Sequence, residues 1–220
     1  MEIKVLKDIL GANEQIAERN RHLLDSNRVL AVNLMSSPGA GKTSLILETM
    51  KRLKNKIKIG VIEGDVSSSL DAELIGREGV PVVQINTGGE CHLDANMVSN
   101  AFSNLPLPDI DLLIFENVGN LICPAEFALG EHKKVLISSI PEGDDKPFKY
   151  PLMFQIVDAV LINKIDLLPY LKFDIEAFSR AVKGINQKVE IFQISCVTGQ
   201  GIQEWVSWLL TQMPFSHRKK

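Results

Sequence analysis

Several things are scarce in this chain, and each scarcity removes a class of function. No apolar run reaches the about 18–20 residues that a membrane-spanning helix needs, and none resembles the apolar core of an export signal. The expected location is therefore the cytoplasm, with no membrane partner. Basic residues do not predominate: 24 Lys and Arg against 27 Asp and Glu leave a net charge of −3, which is no footprint for nucleic acid. Cysteines number three, Cys91, Cys123 and Cys196, an odd count too small for a disulfide framework and pointing to thiol or metal chemistry. The four histidines, His22, His92, His132 and His217, are scattered, so no His-rich metal store is present. There is no internal repeat and no linker. The remainder, 220 residues with 45% hydrophobic and 23% charged, suits one domain spanning 1–220.

What is there begins with Ser36-Ser37-Pro38-Gly39-Ala40-Gly41-Lys42-Thr43. An apolar run from Val29 to Met35 precedes it and a helical period from Ser44 to Leu53 follows, so the stretch turns a strand into a helix. A phosphate-binding loop needs that setting. Gly39, Ala40, Gly41, Lys42, Thr43 and Ser44 are the candidate phosphate binders: backbone N–H groups wrap the phosphates at a helix N-terminus, Lys42 adds a point charge, and the Thr43 hydroxyl holds Mg²⁺. The pattern G-x-x-x-x-G-K-S/T is met except at its first glycine, which is Ser36.

Further apolar runs at 56–63, 80–85, 110–116, 133–140, 157–162 and 188–194 read as strands alternating with helices. The fold class that follows is α/β, a doubly wound and mainly parallel sheet of about seven strands with helices on both faces and ligands at the strands' C-terminal ends. Three of those ends carry chemistry. Glu63-Gly64-Asp65 puts a carboxylate where Mg²⁺ and attacking water are managed, and Asp65 is the candidate for that role. Asp71, beyond Ser67 to Ser69, is either a helix N-cap or a second catalytic carboxylate. Glu116-Asn117-Val118-Gly119 has the acid, two residues and glycine of a GTP hydrolase's third signature, with Glu116 in place of the usual Asp and the Gly119 N–H as γ-phosphate sensor. Asn163-Lys164-Ile165-Asp166 is a guanine reader, because the Asp166 carboxylate accepts from guanine donors that adenine lacks. The loop holding Ser195, Cys196 and Val197 backs the guanine O6, with Cys196 packed beside the base.

The remaining thiols lie elsewhere. Cys91-His92 stands at a loop-to-helix junction, where thiol and imidazole can reach one soft or borderline ion. Cys123 follows Gly119 by four residues, so a nucleotide-driven movement there would move a thiol. Residues 1–27 read as one long or two shorter helices, with Ile3, Leu6, Ile9, Leu10, Ile16, Leu23 and Leu24 near helical spacing, lying over the sheet or docking a partner. Pro141 to Pro147 reads as a polar loop flanked by Lys146 and Lys149, which is either solvated or reaches across a dimer. Ile202, Trp205, Val206, Leu209, Leu210 and Met213 give the last helix an apolar face that makes the tryptophans core, and 216–220 reads as a frayed basic tail.

With these motifs in this order, and with Cys91-His92-Leu93-Asp94-Ala95 as the most specific string, the chain resembles the HypB family from roughly Leu6 to Met213. These are GTPases that assist nickel insertion into nickel–iron hydrogenase. The resemblance implies a SIMIBI-class P-loop fold, a homodimer favoured by GTP, and a Ni²⁺ or Zn²⁺ site built across that dimer from Cys91, His92 and Cys123 of both chains. It also implies slow hydrolysis of GTP to GDP and phosphate, and delivery of nickel to a hydrogenase large subunit with a second accessory protein. The chain lacks the N-terminal cysteine cluster of some members, and it lacks the Cys-Pro-His string of the sister family that serves urease. Alternatives are a urease-type nickel accessory GTPase and a GTP-controlled dimerisation module with a structural zinc. An ATPase of the partitioning type would carry a second lysine early in the phosphate loop and no Asn-Lys-x-Asp.

Overall fold

The computed structural model describes residues 2–66 and 69–214, with side chains from residue 10 onward. The tail at 216–220, the serines at 67 and 68, and the side chains of residues 3, 6 and 9 lie outside the described residues. The chain runs α1 (Glu2–Ser26), β1 (Leu30–Ser36), α2 (Lys42–Leu53), β2 (Ile59–Asp65), α3 (Leu70–Gly76), β3 (Val82–Asn86), α4 (Ala95–Ala101) and β4 (Leu112–Glu116). It continues with β5 (Lys133–Ser139), α5 (Lys146–Lys149), α6 (Pro151–Ile156), β6 (Ala159–Asn163), α7 (Ile175–Ile185), β7 (Glu190–Gln193) and α8 (Ile202–Thr211).

Seven strands form one sheet in the order β3-β2-β4-β1-β5-β6-β7, and every pair is parallel. The expectation of a mainly parallel sheet is thus met in full. Central strands buried on both faces have no solvated side to mark with polar residues, so they read as continuous apolar runs. Leu30, Val32 and Leu34 of β1 face the core under α2, α3 and α8, while Ala31 and Met35 face the side covered by α1, α4, α6 and α7. Trp205 is buried and donates its indole N–H to the Thr49 hydroxyl (3.0 Å), but Trp208 is only half-buried against it.

Two expectations sharpen. The N-terminal segment is one helix of 25 residues rather than two, and among its described side chains the buried ones are Asn13, Ala17, Asn20 and Leu24; Leu23 is exposed and His22 faces outward. The polar stretch after β5 is ordered rather than a plain loop. Glu142 bonds back to the Ser139 N–H (2.7 Å) and hydroxyl (2.8 Å), and Lys149 pairs with Asp145 one turn earlier in α5.

Candidate nucleotide and metal site

Because the sheet is parallel, β1, β2, β4 and β6 all deliver their last residues to one edge. Gly41 caps α2, and Lys42 reaches back to donate to the Ser36 hydroxyl (3.2 Å). Ser36 at the loop's first position therefore holds the lysine that follows. The Thr43 hydroxyl donates to Glu116 Oε1 (2.8 Å). Gly119 lies so close to the loop that a Cβ there would come within 3.0 Å of the Pro38 backbone, which puts its N–H segment directly against the phosphate cradle.

Two glutamates share this corner. Glu63 and Glu116 are register partners on β2 and β4, both 2% exposed, and Oε2 of each is buried without a partner. Burial, reinforced by the neighbouring charge of Glu116, pushes the Glu63 carboxyl up to about 8. Burial likewise pushes Glu116 to about 7, against the opposing pull of Lys42 and the Thr43 hydrogen bond. Two unsatisfied buried carboxyl oxygens beside a threonine hydroxyl and the half-buried Asp65 are a donor set of the hard-oxygen kind that fits hydrated Mg²⁺. Asp71 is not the cap of α3. Ser69 holds that position, and Asp71 stands in the first turn, from where its charge raises both glutamates.

The base side is built from β6 and the loop after β7. Asn163 donates to the Ala40 carbonyl (2.9 Å), and Lys164, held in a left-handed conformation at φ 64°, donates to the Gly39 carbonyl (2.7 Å). Two residues of the guanine-reader string thus brace the phosphate loop. Asp166 accepts from the Ser195 hydroxyl (2.5 Å), and that hydroxyl in turn accepts from the Thr198 N–H (3.1 Å). Cys196 packs partly buried on the core under α2 and α8, and burial raises its thiol to about 11; Val197 is 85% exposed.

The third group forms where the turn after β3 meets the turn after β4. Ligand atoms of Cys91, His92 and Cys123 all lie within 4.8 Å of one another, with Cys91 Sγ 2.7 Å from Cys123 Sγ and 3.8 Å from His92 Nδ1. Asp94 caps α4 by accepting from the Met97 N–H (2.7 Å), which fixes the chain just beyond His92. The imidazole lies against Phe127, with ring centroids 4.0 Å apart. Burial lowers the proton affinity of His92, favouring the neutral ligand form, while the hydrogen bond with Cys91 raises the Cys123 thiol. Two thiols and an imidazole suit a borderline divalent ion such as Ni²⁺ or Zn²⁺, and three donors from one chain leave room for others.

Reading the sequence gave no role of their own to Glu63, Phe127 and a set of buried amides: Asn13, Asn20, Asn33 and Asn117, the last two fully buried. A signal existed for some of them. Asn33 interrupts an otherwise apolar strand, and Asn13 and Asn20 recur at a helical interval, which is the pattern of buried polar side chains that must have partners.

Residues 30–193 match the model of the CobW/HypB/UreG nucleotide-binding domain. The hydrogenase maturation factor HypB of Escherichia coli strain K12 is 48% identical over 210 residues, covering 96% of this chain and 72% of that protein. Among solved structures, the hydrogenase maturation factor HypB from Archaeoglobus fulgidus is 41% identical with a TM-score of 0.86, over 91% of this chain and 98% of that one. HypB from Helicobacter pylori, crystallised in complex with nickel, is 35% identical with a TM-score of 0.88, over 92% and 95%. Likeness of this extent, spread over the same strands that carry the phosphate loop and the guanine-reader string, places the chain: it belongs to the HypB family of CobW/HypB/UreG nucleotide-binding domains.

Proposed function

We propose that this chain hydrolyses GTP and uses the nucleotide state to hold and release a Ni²⁺ or Zn²⁺ ion, in the service of nickel insertion into a hydrogenase. The observation that carries the reading is the continuity of one segment. It starts at Glu116, which holds the hydroxyl of Thr43, passes Gly119 against Pro38, and ends at Cys123 beside Cys91 and His92. The names of the similar proteins, hydrogenase maturation factors and a nickel complex, support the choice of cargo and recipient.

Phosphoryl transfer needs positioning and charge neutralisation more than covalent chemistry. In this reading Lys42 neutralises the phosphate oxygens, the backbone of 39–44 cradles them, and Gly119 donates its N–H to the γ-phosphate. Asp166 accepts from guanine, with Ser195 holding the carboxylate in place. Thr43, Asp65 and Glu116 would hold Mg²⁺, which supplies positive charge to the bridging phosphate oxygens when bound. The cargo ion takes the two thiols and the imidazole, and a homodimer favoured by GTP would complete its coordination from the second copy. Exposed Leu70, Leu74, Ile122 and Phe148 give such a dimer an apolar contribution. The recipient is a hydrogenase large subunit, reached with a second accessory protein, in the cytoplasm; no helix among the described residues is long and apolar enough to cross a membrane.

The test is the affinity for Ni²⁺ and for Zn²⁺ with GDP and with a non-hydrolysable GTP analogue, read together with mass and with turnover of GTP against ATP. Affinities that differ between nucleotide states support a transfer site. Equal affinities would leave a structural zinc in a dimerisation module.

A further inference from the structure

The cargo donors sit on two segments, one between β3 and α4 and one between β4 and β5, and the second reaches the phosphate loop at Gly119. For Cys91 and His92 the connection starts at the next residue, Leu93. We propose that Asn117 and Leu93 form the positioning link that moves the Cys91-His92 segment in the same stroke as the Cys123 segment; this rests on the nucleotide-controlled metal reading above.

Leu93 is held in two ways. Its N–H donates to Asn117 Oδ1 (3.0 Å), and the same oxygen accepts from the Val118 N–H (2.9 Å). Its side chain, fully buried, lies against Gly64, where a Cβ would come within 2.6 Å of Leu93 Cγ. Gly64 stands between Glu63 and Asp65, the strand end proposed to manage the Mg²⁺ corner. One residue next to a cargo ligand is thus coupled to both nucleotide-facing strand ends. Only glycine at 64 admits that contact.

Asn117 is itself fixed from behind. Its amide nitrogen donates to Asn33 Oδ1 (3.2 Å), the Asn33 amide donates to Glu131 Oε1 (3.3 Å), and Glu131 Oε2 accepts from the Leu129 N–H (2.7 Å). The circuit closes through α1, where the Asn20 amide donates to the carbonyls of Leu129 (2.9 Å) and Ala95 (2.8 Å), the latter two residues past Leu93. All four side chains of this ring are 5% exposed or less. A polar ring closed away from water moves between discrete arrangements, because opening one bond leaves a buried group without a partner. Asn33 and Asn20 anchor it to β1 and α1. The side that adjoins Gly119 is Asn117-Val118. A shift of Val118-Gly119 toward a γ-phosphate turns the Asn117 amide and carries Leu93, with His92 attached, along with Cys123.

The experiment titrates Ni²⁺ alone, and separately Zn²⁺ alone, into the full chain with GDP or a non-hydrolysable GTP analogue, and takes the ratio of the two dissociation constants. For wild type a ratio of about 10-fold or more is expected, and Asn117→Ser, whose hydroxyl is too short to reach Leu93, should bring it below about 3-fold while nucleotide affinity holds. A merely structural role would weaken metal binding equally in both states, and an unchanged ratio in the variant overturns the link while leaving the metal reading intact. A wild-type ratio of one overturns that reading, and the link with it. Should Asn117→Ser not fold, Asn33→Ser removes the bond that holds Asn117 from behind, on β1, where no cargo ligand lies, and should lower the ratio likewise, an unchanged ratio again overturning the link. Amide exchange at Leu93 needs no variant: protection that differs between nucleotide states supports the link, and identical protection overturns it.

Discussion

The two halves of the sheet's functional edge are built to opposite specifications. On the base side the polar groups satisfy one another within the chain: Asp166 with Ser195, Asn163 with Ala40, Lys164 with Gly39. On the phosphate side two carboxyl oxygens are buried with no partner, both carboxyls hold their protons more tightly than usual, and Leu70, Leu74 and Ile122 expose apolar surface. A preorganised reader loses little on binding and discriminates well. An unsatisfied corner is costly in isolation, so ligands that satisfy it shift the protein between states by a large differential affinity. On the proposed reading, recognition and switching are separated along about four strands' breadth of one sheet.

The sharpest way to break this contrast is at Asp166. Asp166→Asn exchanges an acceptor for a donor, so GTP binding should fall on the order of 10³-fold while a xanthine nucleotide, with a carbonyl in place of the amine, is gained. Nucleotide titrations decide it, and unaltered base preference would mean that the rigid side is not the reader. Next, Lys42→Ala should lower GTP turnover by about 10²–10³-fold without moving the base preference. Ser195→Ala removes only the brace on Asp166, so GTP affinity should weaken by about 5- to 10-fold, the size of one ordinary hydrogen bond. The smallest effect concerns protons. Carboxyls whose pKa is raised on folding stabilise the fold below the ordinary carboxyl range and lose that contribution as pH rises through about 7 for Glu116 and about 8 for Glu63. Melting of the nucleotide-free and metal-free protein should therefore fall by a few degrees between about pH 6 and about pH 8.5, and Glu116→Gln should flatten the slope. A melting temperature that climbs across that window would reverse the assignment of the unsatisfied corner.

Much of the edge's architecture was legible because each motif is local. A strand, a turn and a helix mark the loop at 36–43 within about fifteen residues, and the string Asn163 to Asp166 marks the end of β6 in the same way. Strand starts moved inward, as with the run at 56–63 against β2 at Ile59–Asp65, since pairing begins only where β4 lies alongside. The short helices α5 and α6 were not read from the sequence, where Pro141 to Pro147 stood as a polar loop; each carries a proline, Pro147 or Pro151, in its first turn, a position that proline suits. The buried ring was illegible for a different reason. Asn20 finds its partners 75 and 109 residues away, and no window of sequence holds both ends. Glu63 stood in its string without a role because a carboxyl closing an apolar strand reads as its polar end until the register with Glu116 brings two of them together.

The strand order also sets a timetable for synthesis. β1 is made early, yet its neighbours in the sheet are β4 and β5, completed only at Glu116 and Ser139, and the braces on its loop come from Asn163 and Lys164. About three-quarters of the chain must leave the ribosome before the phosphate loop is supported from both sides. Non-local parallel pairing of this kind is slow, and the partly made sheet exposes unpaired edges. A nascent chain of this protein should thus be unable to hold nucleotide until Lys164 has been made, so that nucleotide binding marks a supported phosphate loop.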